Sequence, residues 1–574
     1  MSDAELRRIA DGYWEAVLDA SPVYATFVGD HRYDDRMDDL DPAAESAHLD
    51  VVAALGADAE ALDPATLTDG GRVTRGLLLA EVDNLRTRVE LRLAELASDQ
   101  NTGAHADLLQ IAPQTQASDA DSAARLVERY RQAGRFLDQA AERFRAGLGH
   151  GRTPAAVCVE RSLNQVDGYL ASSLDDDPFV GLKAPPEWAD ESGTKRSGAD
   201  ARETAWRGEL RRVTEEIIRP GFARYRAVLA DELRAVARPD DRPGLCHLEG
   251  GDEIYTALVR LHTTTDLSPQ ELHDIGMEEI TERLPAEYAE IGGRAFGLHD
   301  TASVFDRLRS DPALRYTTGN EIMADAAEAL DRAKAAMGDW FGRLPSADCA
   351  IVAVPDYLAA DAPAAYYFPP AGDGSRPGTY YVNTHNPGER SRTEAESIGY
   401  HEAIPGHHLQ LAIAAELTDL PDFQRFGFGN TAYVEGWALY TERLADEMGL
   451  YGGDLDRLGM LTADAWRAGR LVVDTGLHAL GWTRRQAIEF MLEHTPLDEG
   501  EVTVEIDRYI GMPGQALAYK AGQREFFRLR AAARDQLGDR FDIKGFHDAV
   551  LAHGAVTLPI LGDLVDEWVA SLAA

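Results

Sequence analysis

Aliphatic residues recur at steps of three and four along most of this chain, a spacing that leaves helices packed through one face as the main option. In 72–96, Leu78, Val82, Leu85, Val89, Leu93 and Leu96 keep that period. Residues 1–150 read as successive amphipathic helices. The pattern resumes over 201–235, breaks at ARPDDRPG, and returns in EIYTALVRLHTTT and over 269–294. Two segments depart from it. CAIVAVPDYLA (349–359) and TYYVNTH (379–385) are β-branched and aromatic, with the turn-forming PPAGDGSRPG between them, so a hairpin or small sheet is expected there. The second could offer an exposed edge to which an extended peptide adds as a strand. The polar stretch 174–200 reads as a surface loop.

At 574 residues the chain is too long for one ordinary core, so two lobes are expected. One is a helical N-terminal lobe over 1–345; the other, over 346–574, is a helical lobe that begins with the small β element. An apolar content of 44% with 27% charged residues is that of a globular protein. The formal charge of -41 argues against nucleic acid and anionic membranes as partners, since both would be repelled. Of 57 basic residues only five are lysines. Cys158, Cys246 and Cys349 are far apart and lack metal-type spacing, so they read as ordinary thiols. The N-terminal stretch is charged and shows no apolar signal core, and no run approaches the roughly 18 apolar residues of a membrane span. A cytoplasmic protein is expected.

The chemistry concentrates in EAESIGYHEAIPGHHLQLAIAAEL, which sets His401, Glu402, His407 and His408 in a helical pattern. Zinc hydrolases need neutral imidazoles as ligands and a carboxylate beside the metal to take a proton from bound water. The familiar spacing is H-E-x-x-H, with both histidines on one helix face. Here Pro405 and Gly406 delay the next histidine. On a straight helix His407 would stand about 120° off the face of His401, and His408 roughly 10.5 Å along the axis. Neither pair could grip one ion at about 2 Å. Pro405 lacks an N–H and clashes with the carbonyl of residue 401, and Gly406 permits irregular backbone. A kinked or bulged turn can therefore bring His407 beside His401. The third ligand is sought in NTAYVEGWALYTERLADEMG, where Glu435 and Glu442 share a helix face: one for the metal, the other to support a histidine.

At these residues the chain resembles the bacterial domain-of-unknown-function family 885, whose hallmark HExxPGH is His401 to His407. The resemblance runs from SPVYATFVGDHRYDDR to FHDAVLAHGAVTLPIL, nearly the whole chain. The segment from Val434 to Glu442 is similar to the N-E-G-F-A-x-Y-x-E helix of aminopeptidase-type gluzincins, with Val434 in place of Asn. That likeness implies Glu435 as ligand, Glu442 as its supporting carboxylate, and Zn2+ as the ion. The fold it implies is mainly α, a two-lobed helical zincin with a deep channel.

RYIGMPGQALAYKAGQREFFRLR (508–530) supplies further candidates. Tyr519 is the choice for hydrogen-bonding a developing oxyanion, its phenol staying protonated with a pKa of about 10. Lys520 and Arg524 could pair a substrate carboxylate. Arg470, Asp474 and His478 share a helix face and read as a polar network between helices. His547 and His553 are weaker candidates for substrate contact. The function expected is a metallopeptidase acting on small or unfolded peptides, with Glu402 activating the water. Two alternatives stand beside it. A zinc amidase or deacylase on a small metabolite needs the same groups, whereas a non-catalytic metal-dependent peptide-binding protein has no use for Glu402.

Overall fold

The computed structural model describes residues 2–188, 199–355, 359, 362–372, 374, 376–427 and 429–573. The protein is mainly α with one small sheet, as expected. Its larger core gathers residues between 6 and 82 with residues between 280 and 569. A second core is built from residues between 104 and 233, together with Met37. The N-terminal helix α1 (Ser2–Ala20) and α2 (Asp69–Glu90) therefore pack with the C-terminal part, and the cores do not divide at residue 345.

Helix α2 starts where Thr68 accepts a hydrogen bond from the N–H of Gly71 at 3.1 Å, which satisfies a free donor of the first turn. It ends at Glu90, short of the Leu93 and Leu96 that continue the spacing. Arg92 adopts a left-handed conformation, φ 52°, and its carbonyl accepts from Arg152 at 3.1 Å. A distant side chain thus ends the helix, which local spacing cannot reveal. The surface loop expected over 174–200 is corrected where it is described: Phe179, Leu182 and Trp188 are buried in the second core. Residues 189–198 of that loop lie outside the described residues.

The sheet has three strands: β1 (Cys349–Ala353), β2 (Ala365–Phe368) and β3 (Gly378–Val382), in the order β1-β3-β2. β3 runs parallel to β1, with Cys349 opposite Gly378, and antiparallel to β2, with Ala365 opposite Val382. This corrects the expected edge: β3 is central and its backbone is paired on both sides, so it cannot accept a peptide. Tyr380 and Val382 on β3 turn into the larger core.

Past the sheet come α3 (Ala395–Glu402), α4 (His407–Glu416), α5 (Thr431–Glu447), α6 (Asp454–His478), α7 (Glu499–Gly511) and α8 (Ala518–Leu537). α6 is buried on every side from Leu458 to Ala465 and from Ala468 to His478, as a central core helix should be. α5 and α8 cross at Gly436 and Gly522. A Cβ on Gly522 would stand 1.9 Å from the carbonyl oxygen of Ala432, and one on Gly436 2.4 Å from the Cα of Gly522. Only hydrogens fit between these backbones, and the crossing holds Glu435 and Tyr519 on neighbouring helices. Gly522→Ala is therefore expected to destabilise the fold by at least about 1–3 kcal/mol, the usual range for overpacking, read as a fall in the urea midpoint at unchanged m-value.

Candidate metal centre

The inserted Pro-Gly does more than bend a helix. α3 stops at Glu402, Ala403 to Gly406 form a tight turn, and α4 begins at His407. Two short helices thus stand where one kinked helix was expected. The N–H of His408 reaches back to the carbonyl of Ala403 at 3.0 Å, one residue further than in an α-helix. Trp437 on α5 donates its indole N–H to the carbonyl of Pro405 at 3.0 Å and pins the turn from below. Gly406 is packed so closely that a Cβ would lie 1.9 Å from the carbonyl oxygen of His401 and 2.4 Å from that of Tyr400.

This turn brings the rings of His401 and His407 to 4.8 Å between centroids, nearly perpendicular to each other. Nε2 of each lies 3.5 Å from Oε2 of Glu435, and the three donor atoms fall within 4.8 Å of one another. At 3.5 Å the contacts are too long for good hydrogen bonds, and Oε2 of Glu435 is buried without a hydrogen-bond partner. A buried carboxylate oxygen left facing two imidazole nitrogens calls for a cation between them. The electrostatics agree. Burial would lower the pKa of His401, but Glu435 and Glu442 outweigh it and raise the value to about 9. Burial would raise that of Glu435, and the two imidazoles instead hold it well below the usual carboxylate range. Two nitrogens and a carboxylate oxygen suit a borderline ion of the zinc type.

Behind the trio, Nδ1 of His401 lies 2.7 Å from Oε1 of Glu442, whose other oxygen accepts from the Ser397 hydroxyl at 2.7 Å. In the neutral ring that binds an ion, this bond keeps the hydrogen on Nδ1 and turns the lone pair of Nε2 inward. Ser397 was missed in the sequence, although it lies one helical turn before His401. Glu402 is partly exposed beside the trio. Burial, with a further push from Glu402, raises the pKa of the buried Tyr380 phenol, another neighbour that sequence reasoning missed. His408 points the other way: Nδ1 meets the Tyr367 hydroxyl at 2.9 Å and Nε2 the carbonyl of Ala347 at 3.1 Å, tying α4 to the sheet.

Tyr519 reaches the site. Its ring lies parallel to that of His401 at 6.4 Å, and burial, followed by the charge of Glu435, raises its pKa. Lys520 and Arg524 do not, and their expected substrate contact is corrected. Lys520 is 1% exposed and bonds Asp464 and the Gln523 side chain, while Arg524 pairs with Glu279. α8 advances about 100° per residue, so with Tyr519 facing the metal ligands the next residue must face elsewhere. Both line a cavity of about 770 Å³ that none of the three metal-ligand candidates touches. Asp474 accepts from Tyr255 at 2.6 Å and from the N–H of Gly514 at 3.0 Å; His478 accepts from the N–H of Leu245 at 3.2 Å. These are the expected bonds between helices. His547 is buried between Tyr440 and the carbonyl of Trp340, away from any substrate.

The family model described as "Bacterial protein of unknown function (DUF885)" matches residues 22–565. The chain belongs to this family. No curated protein matches the sequence. Among solved structures, the DUF885 chain is similar to "the putative lipoprotein from Colwellia psychrerythraea", with a TM-score of 0.92 and 25% identity over 100% of both chains. It also resembles "a putative lipoprotein of unknown function from Shewanella oneidensis", with a TM-score of 0.72 and 19% identity over 97% of this chain and 99% of that one. An M32 carboxypeptidase from Deinococcus radiodurans R1 aligns at a TM-score of 0.40 and 10% identity over 100% of this chain and 99% of that one, a likeness too slight to argue from. The first two correct the expected cytoplasmic location. Both of these chains, which match nearly end to end, are described as putative lipoproteins. No helix among the described residues is long and apolar enough to cross a membrane, but a lipid anchor needs no such helix and leaves no mark on the composition of a folded body.

The turn makes a sharp prediction. Gly406→Ala and His407→Ala should each abolish tight binding of divalent metal, whereas His408→Ala should keep the metal and lose about 1–3 kcal/mol of stability, as for a buried group left unpaired. Metal titration with unfolding of the same samples reads both. Loss of metal in His408→Ala alone would show that the wrong histidine faces the ion.

Proposed function

We propose that this DUF885 protein is a zinc-dependent hydrolase that cuts peptide bonds in small or unfolded peptides. The observation that carries the reading is the place of Glu402: partly exposed, and one residue after a histidine whose Nε2 faces a second histidine and a carboxylate. A site that only bound metal would have no need of a carboxylate there. His401, His407 and Glu435 would hold the ion, a three-donor set that leaves one position open. The His401-Glu402-x-x-Pro405-Gly406-His407 motif is similar to that of the gluzincins, and the Glu435 helix supports the same likeness.

When bound, zinc supplies a Lewis acid that polarises a carbonyl and makes water more acidic. Glu402 accepts a proton from the attacking water and passes it to the leaving amine. Glu442 would hold the hydrogen of the neutral His401 ring on Nδ1, so that Nε2 is the nitrogen offered to the ion. Tyr519, its phenol kept protonated by burial and by Glu435, donates a hydrogen bond to the oxygen on which negative charge develops. The lipoprotein descriptions of its relatives support a working place at or beyond a membrane.

Protein purified without added metal should contain about one zinc per chain. Glu402→Gln should retain that zinc and bind peptide, yet cleave it at least about 10²–10⁴-fold more slowly, the contribution usual for general acid–base catalysis. Zinc content, peptide affinity and turnover measured on one preparation test this. Turnover within a few-fold of wild type, with zinc still bound, would exclude Glu402 as the base.

A further inference from the structure

Beside Tyr519 the fold gathers more positive charge than it neutralises. The guanidinium carbon of Arg470 lies 4.4 Å from the centroid of the Tyr519 ring, and that of Arg467 lies 5.8 Å from it. Both arginines project from α6 three residues apart, on one face. Arg508 on α7 joins them. Its Nη2 donates to Oε2 of Glu505 at 3.0 Å, and Nη2 of Arg470 donates to the same oxygen at 3.0 Å. The Tyr509 hydroxyl also donates to that oxygen, at 2.6 Å, and accepts from Nε of Arg470 at 2.7 Å. One carboxylate therefore serves two guanidiniums.

What remains unmatched is specific. Nη1 of Arg470 is buried with no hydrogen-bond partner, on a side chain only 4% exposed. Nε of Arg467 is likewise buried without a partner. Its Nη1 makes one long contact, 3.4 Å, to the carbonyl of Ala463 in its own helix. Among the described residues Arg467 forms no ion pair, in a chain with 98 acidic residues to 57 basic ones. Carboxylates are abundant in this protein, and the charge of Glu394 is felt at Arg467, yet none hydrogen-bonds these two N–H groups. Buried donors are seldom left open in folded proteins, and an acceptor brought in from outside would satisfy these.

An anion suits two adjacent cations best, and planar guanidiniums in pairs suit a carboxylate in particular. Tyr519 adjoins both groups, its ring lying parallel to that of His401 at 6.4 Å and 4.4 Å from the guanidinium carbon of Arg470. Consecutive Cα atoms are about 3.8 Å apart, so a carboxylate one or two residues beyond a scissile carbonyl would span that ring. We propose that Arg467 and Arg470 bind the free carboxylate of a peptide, and that the enzyme removes one or two residues from the carboxyl end. This rests on the zinc-hydrolase reading above. The scissile C–N bond takes up one water: its oxygen ends in the new carboxylate, and both its protons end on the released amine, one of them by way of Glu402. Arg467 and Arg470 would hold the end of the substrate throughout and exchange no proton.

The test uses one N-acetylated peptide made as free acid and as C-terminal amide. Wild-type protein should prefer the acid in kcat/KM by about ten- to hundredfold, the weight of a charge-assisted hydrogen bond or two. Mass spectrometry should find products shortened by one or two residues at the carboxyl end. Binding is followed separately, by calorimetry in the Glu402→Gln background. There the acid should bind at least about tenfold more tightly than the amide. Arg467→Met should collapse that ratio, and Arg467→Lys, which keeps the charge without the planar fork, should restore part of it. Equal binding of acid and amide overturns the proposal, as does a ratio that survives Arg467→Met, or release of residues from the amino end. Absence of cleavage with acid-selective binding still erased by Arg467→Met would remove the hydrolase reading and uphold the carboxylate site.

Discussion

Gly406 approaches the carbonyl oxygens of Tyr400 and His401 more closely than any side chain would allow, and the arrangement of the metal centre follows from that contact. It lets α3 stop and α4 start within four residues, so that two histidines six positions apart face each other. Each neighbouring element then meets a geometric demand. α5 arrives with Glu435 between the imidazoles and with Trp437 under the turn. Glu442, two turns on, orients His401 from behind. The sheet holds α4 through His408, which explains why a second histidine follows the first without sharing its role.

The helical class, the small β element and the gathering of His401, His407 and Glu435 were legible in the sequence, because period and motif spacing are local quantities. What was not legible depended on distant partners. α2 ends early because Arg152, far along the chain, takes up a carbonyl at its end. β2 was hidden because Pro and Gly crowd the residues after it, and without β2 the central β3 looked like an edge. Lys520 and Arg524 were chosen for charge alone. The phase of their helix already contained the correction, since a Tyr519 that faces the metal ligands turns Lys520 aside, toward Asp464. Arg467 was passed over because nothing in its neighbourhood of sequence distinguishes it from the chain's other arginines. Its distinction is a missing partner, which only the folded chain reveals.

Charge organises the molecule at two scales. Over the whole chain acidic residues prevail. Inside, the excess reverses in two places. Lys520, Arg283, Arg443 and Arg524 share three carboxylates, Glu279, Glu287 and Asp464, and each cation has a partner in a network that knits α5, α6 and α8 together. Beside Tyr519 the matching stops short, and donors of Arg467 and Arg470 stay open there. The contrast separates structural arginines from those left open.

The crossing of α5 and α8 at Gly436 and Gly522 has a further meaning for how such a protein can change over time. Where backbones touch, spacing is dictated by covalent geometry and not by rotamers, so Glu435 and Tyr519 hold a distance that neighbouring substitutions hardly disturb. The arginines beside Tyr519 are placed differently, by side chains that rest on its ring. Changes at those side chains can therefore accumulate while the reacting groups stay where they are, an independence of tuning from chemistry that two glycines secure.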